Sequence, residues 1–213
     1  MAFLSGWNYR KKITLSNGAS SDLTDYQVKF TVNRSTGTDS GFTVYVGTKC
    51  DSTYKDIRFT KSDGTTLLNY WIESLNSSTA TIWVKVDSIP ASGTADIFLY
   101  YGNSQATDAS NGDNTFIFFD DFNDNSIDSS KWEIKSGGGS STAYEQNNNI
   151  EIYVQAGYRA YLKVKVRSLH HMLLIGWLKS VINIEFCIHW DGNFDANYYE
   201  MRNGYYAPWY VTW

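Results

Sequence analysis

The run FFDDFNDNSIDSSKW at residues 118–132 sets four aspartates, Asp120, Asp121, Asp124 and Asp128, among asparagines, serines and aromatic rings. Carboxylates this dense suit three roles: ligands for a hard cation, a catalytic acid–base pair, or acceptors that shape a turn. Alternate positions from Asp121 supply Asp121, Asn123 and Asn125, oxygen donors of the kind calcium takes. An EF-hand is ruled out, because Ser126 stands where its loop needs glycine and Trp132 where it needs a bidentate glutamate. What remains for metal is a looser Ca2+ site with Asp121, Asn123 and Asp128 as ligands. A plainer reading weighs more: Asp124–Asn125 turns the chain, Asp128 or Ser129 caps a short helical turn, and Phe119, Phe122 and Trp132 are core.

Retaining glycoside hydrolysis needs two carboxylates about 5–5.5 Å apart across the scissile bond. A strand delivers them through a pattern such as E-x-D-x-x-E, and none of Glu73, Glu133, Glu145, Glu151, Glu185 or Glu200 begins one. Glu185 and Asp191 come nearest but lack the middle carboxylate; an exposed glutamate and a turn aspartate account for them. His170, His171 and His189 accompany no G-x-S-x-G or Cys–His signature, and neighbouring strand residues such as His170 and His171 point to opposite faces. The glycines of SGGGSS (136–141) precede no helix that could cradle a phosphate. These residues lead to the expectation that the chain is not an enzyme.

Binding has better candidates. Sugars lay their apolar C–H faces on Trp and Tyr while Asp, Asn and Arg meet the hydroxyls. Residues 188–213, IHWDGNFDANYYEMRNGYYAPWYVTW, bring those types together, so Trp190, Asp191, Tyr199, Arg202, Tyr206 and Trp209 are the expected glycan-binding residues. Strand alternation sends about half of such rings inward, so an aromatic core competes with a binding platform. The same sheet edges could instead meet another subunit.

Strands must position all of this. YQVKFTVN (26–33) alternates Tyr26, Val28, Phe30 and Val32 with polar residues; TIWVKVD (81–87) sets Ile82, Val84 and Val86 on one face; ADIFLYYG (95–102) does the same with Ala95, Ile97, Leu99 and Tyr101. Asp63-Gly64 between DIRFT and LLNYWIES reads as a hairpin turn. Aromatics make up 16% of the chain and prolines number two, which with the turn-formers between strands indicates an all-β protein. A net charge of -4 argues against a nucleic-acid partner. The most apolar stretch, MLLIGWLKSVINI (172–184), is broken by Lys179, Ser180 and Asn183, so no membrane span is expected. No secretory h-region opens the sequence, so the protein is either cytoplasmic or an extracellular one whose signal peptide is absent from this chain; composition and the resemblance given below favour the second. Cys50 and Cys187 are too few for a disulfide scaffold and are read as unpaired thiols, with a bridge between them the alternative.

Composition turns polar over GNSQATDASNGDN (102–114), an exposed connection on this reading, and strand patterning resumes at TFIFF. The expected architecture is therefore two tandem jelly-roll-like β-sandwich units, residues 1–114 and 115–213. The second is short and stops within the apolar run YVTW, so it is expected to be incomplete or completed by a partner.

GWNYRKKITL, DIRFTKSDGTTLLNYWIES, ATIWVKV, IPASGTADIFLYYGN and TFIFFDDFND, in that order, resemble an uncharacterised family of bacterial and archaeal secreted and surface proteins, a domain of unknown function. Some of its members occur in proteins described as ExbB/TolQ/MotA-type channels. The resemblance covers about residues 6–120 and implies a β-sandwich in an extracellular setting, with no activity attached. FDDFND…SIDSSKW and the later YYEMR are similar to the start of a concanavalin A-like jelly roll of the LamG or laminarinase type. Together the two resemblances imply a non-enzymatic surface module for adhesion or glycan binding. The alternative is a structural subunit of a filament or sheath, binding copies of itself through strand edges.

Overall fold

The structure, a computed structural model, describes residues 2–136, 139, 142–153, 160–164, 185–186 and 199–200. The fold is all-β and the chain divides into two compact units, Met1–Phe116 and Ile117–Trp213, so the boundary falls at 116/117 rather than the expected 114/115.

Eight strands build the first unit: β1 (Tyr9–Ser16), β2 (Leu23–Asn33), β3 (Thr43–Tyr45), β4 (Arg58–Lys61), β5 (Leu67–Leu68), β6 (Tyr70–Leu75), β7 (Thr79–Ile89) and β8 (Thr94–Tyr101). They form two four-stranded sheets, ordered β1-β8-β4-β5 and β3-β2-β7-β6. Every pairing is antiparallel except β2 with β3. Period-two alternation decides what lies between the sheets. Val28, Phe30 and Val32 of β2, Ile82, Val84 and Val86 of β7, and Ile97, Leu99 and Tyr101 of β8 turn into one core with Ile13, Leu15 and Phe59. Register sets Phe30 opposite Ile82 and Ile13 opposite Ile97. Each such side chain contributes about 1.5–3 kcal/mol by leaving water, which is the main force closing the sandwich.

The Asp63–Gly64 turn forms as expected. Gly64 takes φ +82, and its N–H donates to the Lys61 carbonyl at 3.0 Å. The Asp63 carboxylate accepts from the Thr66 hydroxyl and from the N–H groups of Thr65 and Thr66, which together hold its pKa down to about 2. LLNYWIES does not form one strand. Asn69 interrupts it, so that β5 belongs to one sheet and β6 to the other.

Nor are residues 102–114 simply exposed. Arg58 Nη2 donates to the Thr107 carbonyl (2.7 Å), Ile72 N to Ser110 Oγ (2.8 Å) and Asn111 N to the Tyr70 carbonyl (2.8 Å), so the segment returns along the edge of β6. A single helical turn at Gly112–Thr115 follows, capped by the Asn111 side chain. Phe116 then seats its ring edge-on to Trp71 and Trp83, at 5.8 and 5.9 Å. Polar composition concealed this, because the docking uses backbone groups and hydroxyls.

One buried acid staples the loop before β4. Asp56, 2% exposed, accepts from Asp51 N (3.0 Å) and Cys50 Sγ (3.1 Å) with Oδ1, and from Gly102 N (2.7 Å) with Oδ2. Its carbonyl takes the Trp7 indole N–H at 2.7 Å. Cys50 is a buried free thiol; burial first, then the bond to Asp56, pushes its pKa well up. Cys187 lies outside the described residues.

In the second unit, β9 (Trp132–Ser136) pairs with β12 (Ala160–Val164), β10 (Thr142–Gln146) with β11 (Asn149–Tyr153), and β13 (Glu185–Phe186) with β14 (Tyr199–Glu200), all antiparallel. Asn147 and Asn148, both at positive φ (53 and 58), make the two-residue turn between β10 and β11.

Candidate functional site

The acidic run opens the second unit. Phe118 and Phe122 pack on Trp132 with ring centroids 5.1 and 5.7 Å away, and all three are buried, whereas Phe119 is only half-buried. Phe118 therefore belongs to the core of the second unit. The aspartates act chiefly as turn acceptors. Asp120 Oδ2 takes the Trp132 indole N–H (2.7 Å) and its Oδ1 the Phe122 N–H (3.1 Å); Asp124 Oδ1 takes Ser126 N (2.9 Å). The carbonyl of Asp128 accepts from Lys131 N and Trp132 N, and its carboxylate from the Ser130 hydroxyl and N–H; these last bonds lower the Asp128 pKa.

Of the expected metal ligands, the structure joins Asp121 and Asn123 through a 2.8 Å bond from the amide, while Asp128 is engaged with Ser130 and Lys131. Glu145 is a residue that pattern reading passed over. Its side chain lies on the inward face of β10, between the buried Ala143 and the turn, and is 6% exposed. Oε1 accepts from Asp124 N (3.1 Å) and Asn125 N (2.9 Å); Oε2 has no hydrogen-bond partner. Burial foremost, with Asp124 and Asp120 nearby, raises its pKa. Among the described residues no group of three or more His, Cys, Asp or Glu side chains is placed to hold a metal ion.

The expected binding residues Trp190, Asp191, Arg202, Tyr206 and Trp209 lie outside the described residues, and Tyr199 is placed only as the β14 partner of Phe186. A concave site is present on the first unit instead. β3 covers only Thr31–Asn33 of β2, which leaves the flank open beside the earlier part of that strand. There an open cleft of about 370 Å³ lies among Leu15–Gly18, Leu23, Tyr26–Lys29, Phe42 and Ile89. Its floor is core: Leu15, Val28 and Ile89 are 2%, 6% and 3% exposed. Its walls carry Tyr26 and Phe42, 47% and 54% exposed. Phe42 stands edge-on to Phe30 at 5.7 Å, and its carbonyl accepts Thr31 N at 2.9 Å. Asn17 fixes the adjoining loop, donating to the Ser21 and Ile89 carbonyls and accepting from Ala19 N. Lys29 pairs with Glu73 at 3.2 Å.

In the first unit the sheet edges are mostly short or covered. β5 has two residues and β3 three, and residues 107–111 run along β6; β1, with eight residues, is the long edge and carries Arg10, Lys11 and Lys12. Charges of this kind blunt an edge against adding strands.

Two sheets closed over one aromatic-rich core, with a cleft on the flank, define the first unit as a β-sandwich domain. Residues 53–135 match the model of a family described as a domain of unknown function, DUF2341, a span running from the loop before β4 into β9. No curated protein and no solved structure matches the chain.

Proposed function

We propose that the chain is a non-enzymatic glycan-binding module of an extracellular surface protein, acting in adhesion. The observation that supports it is the pair of rings on the flank of the first unit. Tyr26 and Phe42 are about half exposed, while the rings facing the core, Phe30, Tyr54, Phe59, Tyr70 and Tyr101, are all 6% exposed or less. Each exposed ring leaves roughly 80–100 Å² of apolar surface in water, worth about 2 kcal/mol once covered. A sugar covers such rings without requiring a large dry interface. The resemblance of the second unit to a concanavalin A-like jelly roll agrees with an extracellular, glycan-directed role, as fold-level analogy only.

A glycan array probed with the purified chain, with and without calcium, tests this. Reproducible binding to a defined group of glycans is expected; an empty array in both conditions refutes it, and cleavage of a bound glycan contradicts the non-enzymatic part. The filament reading has one observation behind it, the eight-residue edge strand β1. Concentration-dependent polymers on size exclusion would favour that reading, and a stable monomer would dismiss it.

A further inference from the structure

We infer that the flank cleft of the first unit is a site for a neutral pyranose, seated with its C–H face against Tyr26 and Phe42. The inference rests on the glycan-binding reading above and adds the location and charge of the ligand. The floor of Leu15, Val28 and Ile89 offers nothing to a hydroxyl, so the buried side of the ligand must be apolar. The rim is different: Ser16 and the Gly18 backbone line the opening and can bond groups at the edge of a ring, while the Gln27 amide nitrogen is spent on the Asp25 and Thr115 carbonyls. An amphipathic disc, apolar in face and polar in rim, matches that arrangement; an alkyl chain leaves the rim unused. At about 370 Å³ the cleft has room for one or two sugar rings and falls low in the ~300–1,000 Å³ range of small-molecule sites.

Charge narrows the class. Lys29 is the one charged residue lining the cleft, and its ammonium lies 3.2 Å from the Glu73 carboxylate and over the Trp83 ring. No uncompensated cation is left to select a uronate or a sulfated sugar. The base of the cleft is also preformed, because the Asn17 side chain makes two hydrogen bonds within its own loop and ties that loop to β7 through a third, to the Ile89 carbonyl. Binding therefore asks for little reordering.

The test is an NMR titration of the full chain with neutral trisaccharides (of glucose, mannose, xylose and N-acetylglucosamine) and with a galacturonate trimer. Shifts centred on Leu15, Tyr26 and Phe42 are expected with at least one neutral sugar, and weaker ones with the uronate. Tyr26→Ala and Phe42→Ala should each weaken binding about tenfold. Tyr26→Ala should leave the melting temperature close to unchanged, whereas Phe42→Ala also loses the edge-on contact with Phe30 and should lower it slightly without unfolding the chain. Gly18→Trp supplies an independent block: a Cβ at Gly18 meets no atom within 4 Å, so the indole can enter the cleft without displacing the loop. Loss of binding in all three variants supports the site. Glycan-induced shifts elsewhere, with Gly18→Trp binding normally, overturn the location and leave the glycan reading standing. Preference for the uronate overturns the neutral-ligand claim. No shift with any sugar, together with an empty array, removes both.

Discussion

Replacing Asp56 by alanine should cost the first unit about 3–5 kcal/mol. The figure follows from what the carboxylate holds. Asp51 N and Gly102 N donate to its two oxygens at 3.0 and 2.7 Å in a place where the residue is 2% exposed. Without the acceptor, each part-buried N–H loses its partner at about 1–3 kcal/mol, and the buried Cys50 thiol loses a weaker bond. Against a typical total of ~5–15 kcal/mol, that is a large share of the stability. Urea unfolding of the full chain would give the difference at constant m, and hydrogen exchange at the Gly102 amide would localise it. Asp56→Asn should cost less, since it keeps the shape and one acceptor but turns an NH2 toward a donor. A cycle with Cys50→Ala should show coupling of about 0.5–1.5 kcal/mol. A loss below about 1 kcal/mol for Asp56→Ala, with m unchanged and Gly102 still protected, would refute the reasoning.

Glu145 binds its proton more tightly in the folded state, so its contribution falls as pH rises from the ordinary glutamate value of about 4.3 through the raised folded value. Glu145→Gln should remove that part of the slope and raise the melting temperature more at about pH 8 than at about pH 4; equal shifts at both would contradict it. The Cys50 thiol, buried and pushed upward, should resist alkylation in the native protein and label only on unfolding, which mass spectrometry after a timed pulse reads directly. Gly64→Ala should destabilise by about 1–3 kcal/mol, because φ is +82 and the added Cβ runs into the Ala2 carbonyl; thermal melts check it.

Much of the sandwich was legible because alternation reports faces directly: Val28–Phe30–Val32 and Ile82–Val84–Val86 turn inward as their spacing requires. Gly64 was legible because only a glycine turn suits that position so well. What stayed hidden depends on partners distant in the chain. Asn69 gives no local sign that the strand changes sheets there, and β3 pairs with β2 through just three residues. Ser110 and Asn111 look like linker until Ile72 and Tyr70 are beside them. The candidate site shows the same limit. Tyr26 shares a face with Val28, so period two assigns it to the core, yet the flank that β3 leaves uncovered exposes it. Glu145 occupies an inward position that pattern reserves for apolar residues, and only the Asp124 and Asn125 amides explain it.

The return of residues 103–116 along β6 also decides how the first unit meets tension. A pull arriving from residue 117 does not reach β8 first. It meets the Phe116 ring on Trp71 and Trp83, then the Gln27–Thr115 bond, then Asn111 on Tyr70 and Ser110 on Ile72, one after another. Fastenings in series yield singly, so the segment unzips at low force while the sheets stay whole. Releasing those residues adds about 45–50 Å of extended chain, a built-in slack that would take up a sudden load before the sheets unfold.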